Sequence, residues 1–153
     1  MSNKVKELQV SAIENGTVID HISSGNVLRV VKILGLEDIQ EPIYLGANLS
    51  RKKYGSKGIV KVSNRYFQAH EINKIALVSP NASIIEIRDF EVVKKSVVEV
   101  PDYINNIVKC FNPNCITNVE DVSTKFAVID KKDVKLRCNY CEKITAKANI
   151  NFI

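Results

Sequence analysis

The chain has 153 residues, a hydrophobic fraction of 45% and a formal net charge of +5. This length suffices for one ordinary domain or two small ones. Because no stretch approaches the about 20 apolar residues of a membrane helix, and the first residues lack the apolar run of a signal peptide, we expect a cytoplasmic protein without a membrane partner.

The charge is dispersed along the chain. Residues 1–100 carry 14 basic and 11 acidic side chains, and residues 101–153 carry 8 and 6. This balance permits an anionic ligand without requiring a nucleic-acid surface.

Alternation of apolar and polar residues predicts a first strand at 8–13. Asn15-Gly16 is a turn signal, and a second strand is expected at 17–22. Helical spacing of apolar residues follows from Val27 to Leu36, with Gly35 as the helix stop. The remaining predicted elements of the first 100 residues are strands at 43–49, 58–62, 83–87 and 90–98, a mobile basic loop at 50–57, a helix at 69–78 ended by Pro80, and a turn at 88–89.

The order strand, helix, strand, strand, helix, strand is typical of a ferredoxin-like α+β sandwich. The same fold carries many unrelated functions. Pro101 marks the expected domain boundary, so we predict domains at 1–100 and 101–153. The short apolar runs of the second segment predict a small antiparallel-β domain built around a metal ion.

Four cysteines form two close pairs, Cys110 with Cys115 and Cys138 with Cys141. The pattern C-x4-C-x22-C-x2-C is that of two knuckles that meet at one tetrahedral ion. Zinc suits this thiolate set because it is borderline soft and has no redox chemistry. A closed four-sulfur shell leaves no position for water, so we expect one structural zinc per chain.

Several segments together resemble the regulatory chains of aspartate carbamoyltransferase. The amino-terminal strings LQVSAI and GTVIDHI carry this resemblance, and so does CFNPNCI with its cysteine spacing. Further similar stretches are 48–49, 57–64, 76–77, 84–93, 95, 126–128 and 136–142. The resemblance therefore spans nearly the whole chain, with the two domains in the family's order.

The resemblance implies a non-catalytic subunit of pyrimidine biosynthesis. Its first domain would bind nucleoside triphosphates, namely CTP, ATP and UTP, with Mg²⁺ at a second nucleotide. Its zinc domain would dock onto the catalytic chain, and regulatory dimers would bridge catalytic trimers. The implied first nucleotide site comprises Val10, Ser11, Ala12, Ile13, Val18, Asp20, His21, Lys61, Ile85, Ile87, Phe90, Val92 and Lys95. Asn48, Leu49 and Lys57 match the second nucleotide region, and Asn112, Asn114 and Glu142 match the catalytic-chain interface.

Three positions depart from the family pattern. Ser11, Ile85 and Phe90 stand where that pattern has glutamate, asparagine and tyrosine. These changes fall in or beside the implied pocket, which predicts an altered nucleotide preference.

Other interpretations stay open at this stage. Lysines on exposed strand faces are usually only solvated, and strand alternation predicts that Asp20 and His21 point to opposite faces, which argues against a His–Asp relay. A zinc-ribbon nucleic-acid-binding protein is the alternative function, suggested by the basic residues Arg51, Lys52, Lys53 and Lys57. A stand-alone enzyme is disfavoured because the sequence shows no open metal site, no acid–base constellation and no G-x-x-x-x-G-K-[ST] loop.

Overall fold

The computed structural model describes residues 12–51 and 55–153. The chain divides into two compact units, Met1–Val98 and Glu99–Ile153, called here the first and second unit. The predicted strand residues Val10 and Ser11 lie outside the described residues. Ala12 and Ile13 are described and belong to no strand, so that end of the predicted first strand is wrong.

Over residues 12–51 and 55–98, the first unit contains one five-stranded antiparallel sheet and two α-helices. Its strands are β1 (Gly16–Ile22), β2 (Ile43–Arg51), β3 (Gly55–Ser63), β4 (Ser83–Arg88) and β5 (Glu91–Val97), and its helices are α1 (Val27–Ile33) and α2 (Ala69–Val78). The strand order β2-β3-β1-β4-β5 places β1 in the centre. Without β5 this is the ferredoxin-like order, which confirms the predicted α+β class.

The main core lies on the face of the sheet that carries Ile19 and Ile84. Ile19 in β1 pairs with Val60 in β3 and with Ile84 in β4, and all three side chains are buried. Val30 in α1 and Ile75 in α2 are fully buried. Residue Gly35 ends the first helical segment with φ 66°, as the sequence predicted.

Helix α2 has the predicted bounds. Gln68 and Glu71 form a capping box at its start, in which the Gln68 backbone N–H donates to Glu71 Oε1 at 3.2 Å. The helix ends at Val78, two residues before Pro80, because the residue that precedes a proline disfavours helical geometry.

Two predicted connections of the first unit are wrong. The expected mobile loop at 50–57 is largely hairpin, since Leu49, Ser50 and Arg51 pair with Lys57, Ser56 and Gly55. The turn predicted at 88–89 is instead Asp89-Phe90, and both residues have positive φ, 52° and 65°. Two residues with positive φ are what a type I′ hairpin turn requires.

The second unit is the predicted small antiparallel-β structure. It contains β6 (Tyr103–Asn105), β7 (Val108–Lys109), β8 (Lys125–Asp130), β9 (Lys135–Cys138), β10 (Ile144–Ala146), β11 (Asn151–Phe152) and the short helix α3 (Ile116–Val119). The strands form sheets of order β10-β9-β8-β6 and β11-β7. Phe126 and Leu136 are its largest fully buried side chains together with Ile104.

Candidate functional site

The four cysteines of the second unit converge on one point. All four Sγ atoms lie within 4.8 Å of one another. Cys110 Sγ is 3.6 Å from Cys141 Sγ, and Cys115 Sγ is 3.7 Å from Cys138 Sγ. A zinc ion with bonds of about 2.3 Å to four tetrahedral thiolates separates the sulfurs by about 3.8 Å. The cluster therefore fits a structural zinc ion.

Backbone and asparagine side-chain hydrogen bonds hold the knuckles in place. The Asn114 N–H donates to Asn112 Oδ1 at 3.1 Å, and the Cys115 N–H donates to the Asn112 carbonyl at 3.0 Å. Asn118 Nδ2 donates to the Cys110 and Asn112 carbonyls. In the other knuckle, the Glu142 N–H donates to the Cys138 carbonyl at 3.0 Å. The turns are thus held by hydrogen bonds within the second unit.

The thiols of the cluster have unequal acidities. Burial raises the pKa of Cys110 to about 12. Burial also raises the pKa of Cys115, but the Thr117 hydroxyl and backbone N–H outweigh it and lower that pKa to about 7. A bound divalent cation deprotonates coordinating thiols outright. Metal binding to this cluster therefore releases protons.

Four apolar side chains of the knuckles and of α3 are exposed. They are Phe111, Ile116, Val119 and Tyr140, with exposed fractions between 41% and 69%. The predicted interface residues Asn114 and Glu142 are exposed as well, whereas Asn112 is buried. Sequence analysis missed the exposed apolar residues, because an apolar residue in a short loop is equally compatible with a core position.

In the first unit, the predicted lysines lie in one cross-strand row. Lys61 pairs with Val18, Val18 pairs with Ile85, and Ile85 pairs with Lys95. Directly paired residues of antiparallel strands share one face of the sheet. The row crosses three strand spacings, which separates the Lys61 and Lys95 backbones by about 14 Å.

This face is opposite the main core and carries a smaller apolar cluster. Ile13, Val18 and Ile87 are buried there, with Tyr44, Ile59 and Ile85 packed against them. Val92 pairs with Ile87 and is exposed. Tyr44 and Ile59 were missed. Ile59 alternates with the buried Gly58 and Val60 of β3, which places it on this face, and Tyr44 pairs with Lys61 of the same face.

Strand alternation fails at Asp20 and His21. The register of β1 shifts between Ile19 and Ile22, and His21 has φ 59°. The His21 ring consequently approaches Asp20, with Nδ1 3.8 Å from Oδ2, and the argument from opposite faces is wrong at this bulge. Ser83 Oγ, another missed group, is 3.4 Å from His21 Nδ1.

The Asp20 carboxylate is held by cationic and N–H groups. Lys57 Nζ lies 2.8 Å from Oδ1, and the His21 backbone N–H donates to the same oxygen at 2.7 Å. Burial raises the pKa of Asp20, but these hydrogen bonds and the charges of Lys57 and His21 bring the net pKa below its usual value. Burial lowers the pKa of Lys61, and the charge of Asp20 opposes that shift.

The remaining residues of the two predicted nucleotide regions lie in different parts of the first unit. Ala12 is exposed, and Phe90 lies in the β4–β5 turn, where its N–H donates to the Glu14 carbonyl at 2.8 Å. In the second predicted region, Leu49 pairs with Lys57, and Asn48 is exposed with φ 59°. Val10 and Ser11 again lie outside the described residues.

The two units together define a class of protein: an α+β sandwich followed by a four-cysteine metal-binding domain. Family models described as "Aspartate carbamoyltransferase regulatory chain, allosteric domain" and "Aspartate carbamoyltransferase regulatory chain, metal binding domain" match residues 8–99 and 102–151. The chain belongs to the family of aspartate carbamoyltransferase regulatory chains.

Curated relatives of the same name match over almost the whole chain. The protein of Bacteroides fragilis is 48% identical over 153 residues, which is 100% of both chains. The protein of Pyrococcus horikoshii is 51% identical over 146 residues, 94% of this chain and 96% of its own. The protein of Thermococcus sibiricus is 52% identical over 139 residues, 91% and 92% of the two chains.

Family membership sets the functional class. The chain is a regulatory chain, a non-catalytic subunit with an allosteric and a metal-binding domain, and a catalytic chain is its implied partner. Within residues 12–51 and 55–153, no helix has the length and apolar character needed to cross a bilayer.

Proposed function

We propose that the first unit binds a nucleoside triphosphate on the sheet face that carries Lys61 and Lys95, and that binding there modulates a catalytic trimer attached to the second unit. CTP, ATP and UTP are the proposed effectors, with Mg²⁺ beside a second nucleotide. The family resemblance supports this assignment for the residues of the predicted sites.

The observation that carries the proposal is the row of Lys61, Val18, Ile85 and Lys95. An apolar centre between two ammonium groups suits a ligand that has an aromatic base, whose ring face packs on apolar side chains, and an anionic tail. Ammonium groups form charge-assisted hydrogen bonds to phosphate oxygens. Ile85 occupies the middle of this row, so the departure from the family's asparagine removes a polar side chain from the proposed pocket.

Docking of the catalytic chain is proposed for the two knuckles. Exposed apolar side chains at Phe111, Ile116, Val119 and Tyr140, beside the polar Asn114 and Glu142, have the mixed composition of a protein interface. The proposed assembly joins regulatory dimers to catalytic trimers in the cytoplasm, where cysteines stay reduced and available to zinc.

Calorimetric titration of the zinc-loaded chain with CTP, ATP and UTP, each with and without Mg²⁺, tests the nucleotide site. Lys61→Gln and Lys95→Gln are each expected to weaken binding about tenfold, because each removes a charged hydrogen-bond donor. Lys94→Gln is the matched control, since Lys94 pairs with Glu86 on the opposite face. Equal losses from all three variants, or no binding by the parent chain, would refute the proposed site.

A further inference from the structure

The Asp20 carboxylate makes close contacts within the chain itself. Its side chain is 16% exposed, and its carboxylate is already engaged by the Lys57 ammonium group at 2.8 Å and by the His21 backbone N–H. The carboxylate oxygen Oδ1 therefore accepts two hydrogen bonds before any ligand arrives.

The Asp20–Lys57 ion pair also joins two regions that sequence analysis separates. Asp20 belongs to the first predicted nucleotide site, and Lys57 belongs to the second region, opposite Leu49 in the hairpin. The same carboxylate acts on Lys61, because its charge opposes the effect of burial on that amine. The negative charge of Asp20 thus acts on two of the three lysines assigned to the proposed sites.

Building on the nucleotide-binding function proposed above, we propose that Asp20 is an internal counter-ion, and that a polyphosphate ligand displaces it from Lys57. An ammonium group bonds to a carboxylate or to a phosphate oxygen with similar geometry. A ligand with several phosphate charges compensates for the broken ion pair, whereas a ligand with one charge or none does not. Asp20 thereby selects for polyphosphates.

The test uses the zinc-loaded chain and two probes, inorganic tripolyphosphate and CTP, titrated by calorimetry at pH 7. Asp20→Asn keeps the size of the side chain and removes the competing charge. Because a partly exposed ion pair contributes at most about 1 kcal/mol, the variant is expected to bind tripolyphosphate about threefold to fivefold more tightly.

The Lys57→Gln background distinguishes competition between Asp20 and the phosphate for Lys57 from electrostatic repulsion of the phosphate by Asp20. If Asp20 acts by holding Lys57, the gain from Asp20→Asn disappears in the Lys57→Gln background. If Asp20 only repels phosphate through space, the gain persists there. Glu86→Gln removes the same charge from the opposite face of the sheet, beside Thr17 and Lys94, and is expected to change affinity by less than about twofold because salt screens such distances.

Several outcomes would overturn the inference. Weaker tripolyphosphate binding by Asp20→Asn would do so, as would an equal gain in the Lys57→Gln background. Loss of CTP binding with unchanged tripolyphosphate binding would make Asp20 a contact for the nucleoside instead. Failure of the parent chain to bind either probe would refute the proposed nucleotide site as well, which distinguishes the two failures. Thermal unfolding of each variant verifies that it is folded.

Discussion

The first and second units enclose their apolar cores in different ways. In the first unit, three central strands and two helices supply buried side chains such as Ile19, Val60 and Ile75. In the second unit, short strands enclose Phe126 and Leu136 beside the four-cysteine cluster. A unit of this size usually needs a metal, disulfides or a partner. We therefore expect damage to the core of the first unit to lower its stability in steps, and loss of the metal to unfold the second unit as a whole.

The largest expected effect is that of metal removal. Structural zinc in small finger peptides contributes about 10–16 kcal/mol, so chelation is expected to unfold the second unit and to abolish any mixed assembly with the catalytic chain. Amide signals of the two units, followed by NMR during chelation and zinc restoration, measure this directly.

Cys115→Ser is expected to act like the chelator, since it removes one of the four sulfur ligands. Thr117→Val is the milder control, because it removes only the hydroxyl that donates to Cys115 Sγ at 3.3 Å. If the second unit keeps dispersed amide signals after metal removal, its fold does not depend on the metal, and the two units do not differ as proposed.

The second-largest expected effect is the loss of stability on creating a cavity in the first unit. Ile19 is fully buried in the central strand, and Ile19→Ala is expected to cost about 2–5 kcal/mol of stability because it leaves a cavity. Urea unfolding of the first unit measures the loss, and metal release by the second unit is expected to be unchanged. Leu28→Ala, at a site 72% exposed, should stay within about 0.5 kcal/mol. Similar losses for both variants would contradict the assigned core.

The smallest expected effect concerns pH. The pKa of Asp20 is lowered in the folded state, so its charged form stabilises the first unit above the ordinary aspartate pKa, and this contribution is lost as pH falls through the folded pKa. Asp20→Asn is therefore expected to be less stable than the parent chain at pH 6, with the difference shrinking as the pH falls below the ordinary aspartate pKa and through the lower folded-state pKa. Urea unfolding at several pH values tests this, with Asp38→Asn as the control at an exposed carboxylate. A stability difference between Asp20→Asn and the parent chain that grows as the pH falls would contradict a stabilising role of the Asp20–Lys57 ion pair.

Much of the architecture could be predicted because it depends on local spacing. The cysteine pairs require only their separation, and α2 carries both a capping box and a following Pro80. The bulge at His21 could not be predicted, since it depends on the register between β1 and β3. The same shift brings His21 towards Asp20.

The errors in the hairpins have a similar origin. Four basic residues and Gly55 within 50–57 suggested a loop. Pairing of β2 with β3 nevertheless continues to Arg51 and Gly55, because backbone hydrogen bonds tolerate charged side chains at a strand end. Exposure of Phe111 and Val119 also depends on what surrounds them in three dimensions. Contacts between distant strands, such as Asp20 with Lys57, require the register as well.

The turn at Phe90 has a consequence for how this sequence can diversify. Its position is fixed by two backbone N–H groups: the Phe90 N–H donates to the Glu14 carbonyl, and the Asp89 N–H donates to the side-chain oxygen Oδ1 of Asn15. The Phe90 side chain itself is 65% exposed. The fold therefore makes little demand on the chemistry of that ring. Evolution can exchange the side chain at this position without rebuilding the turn.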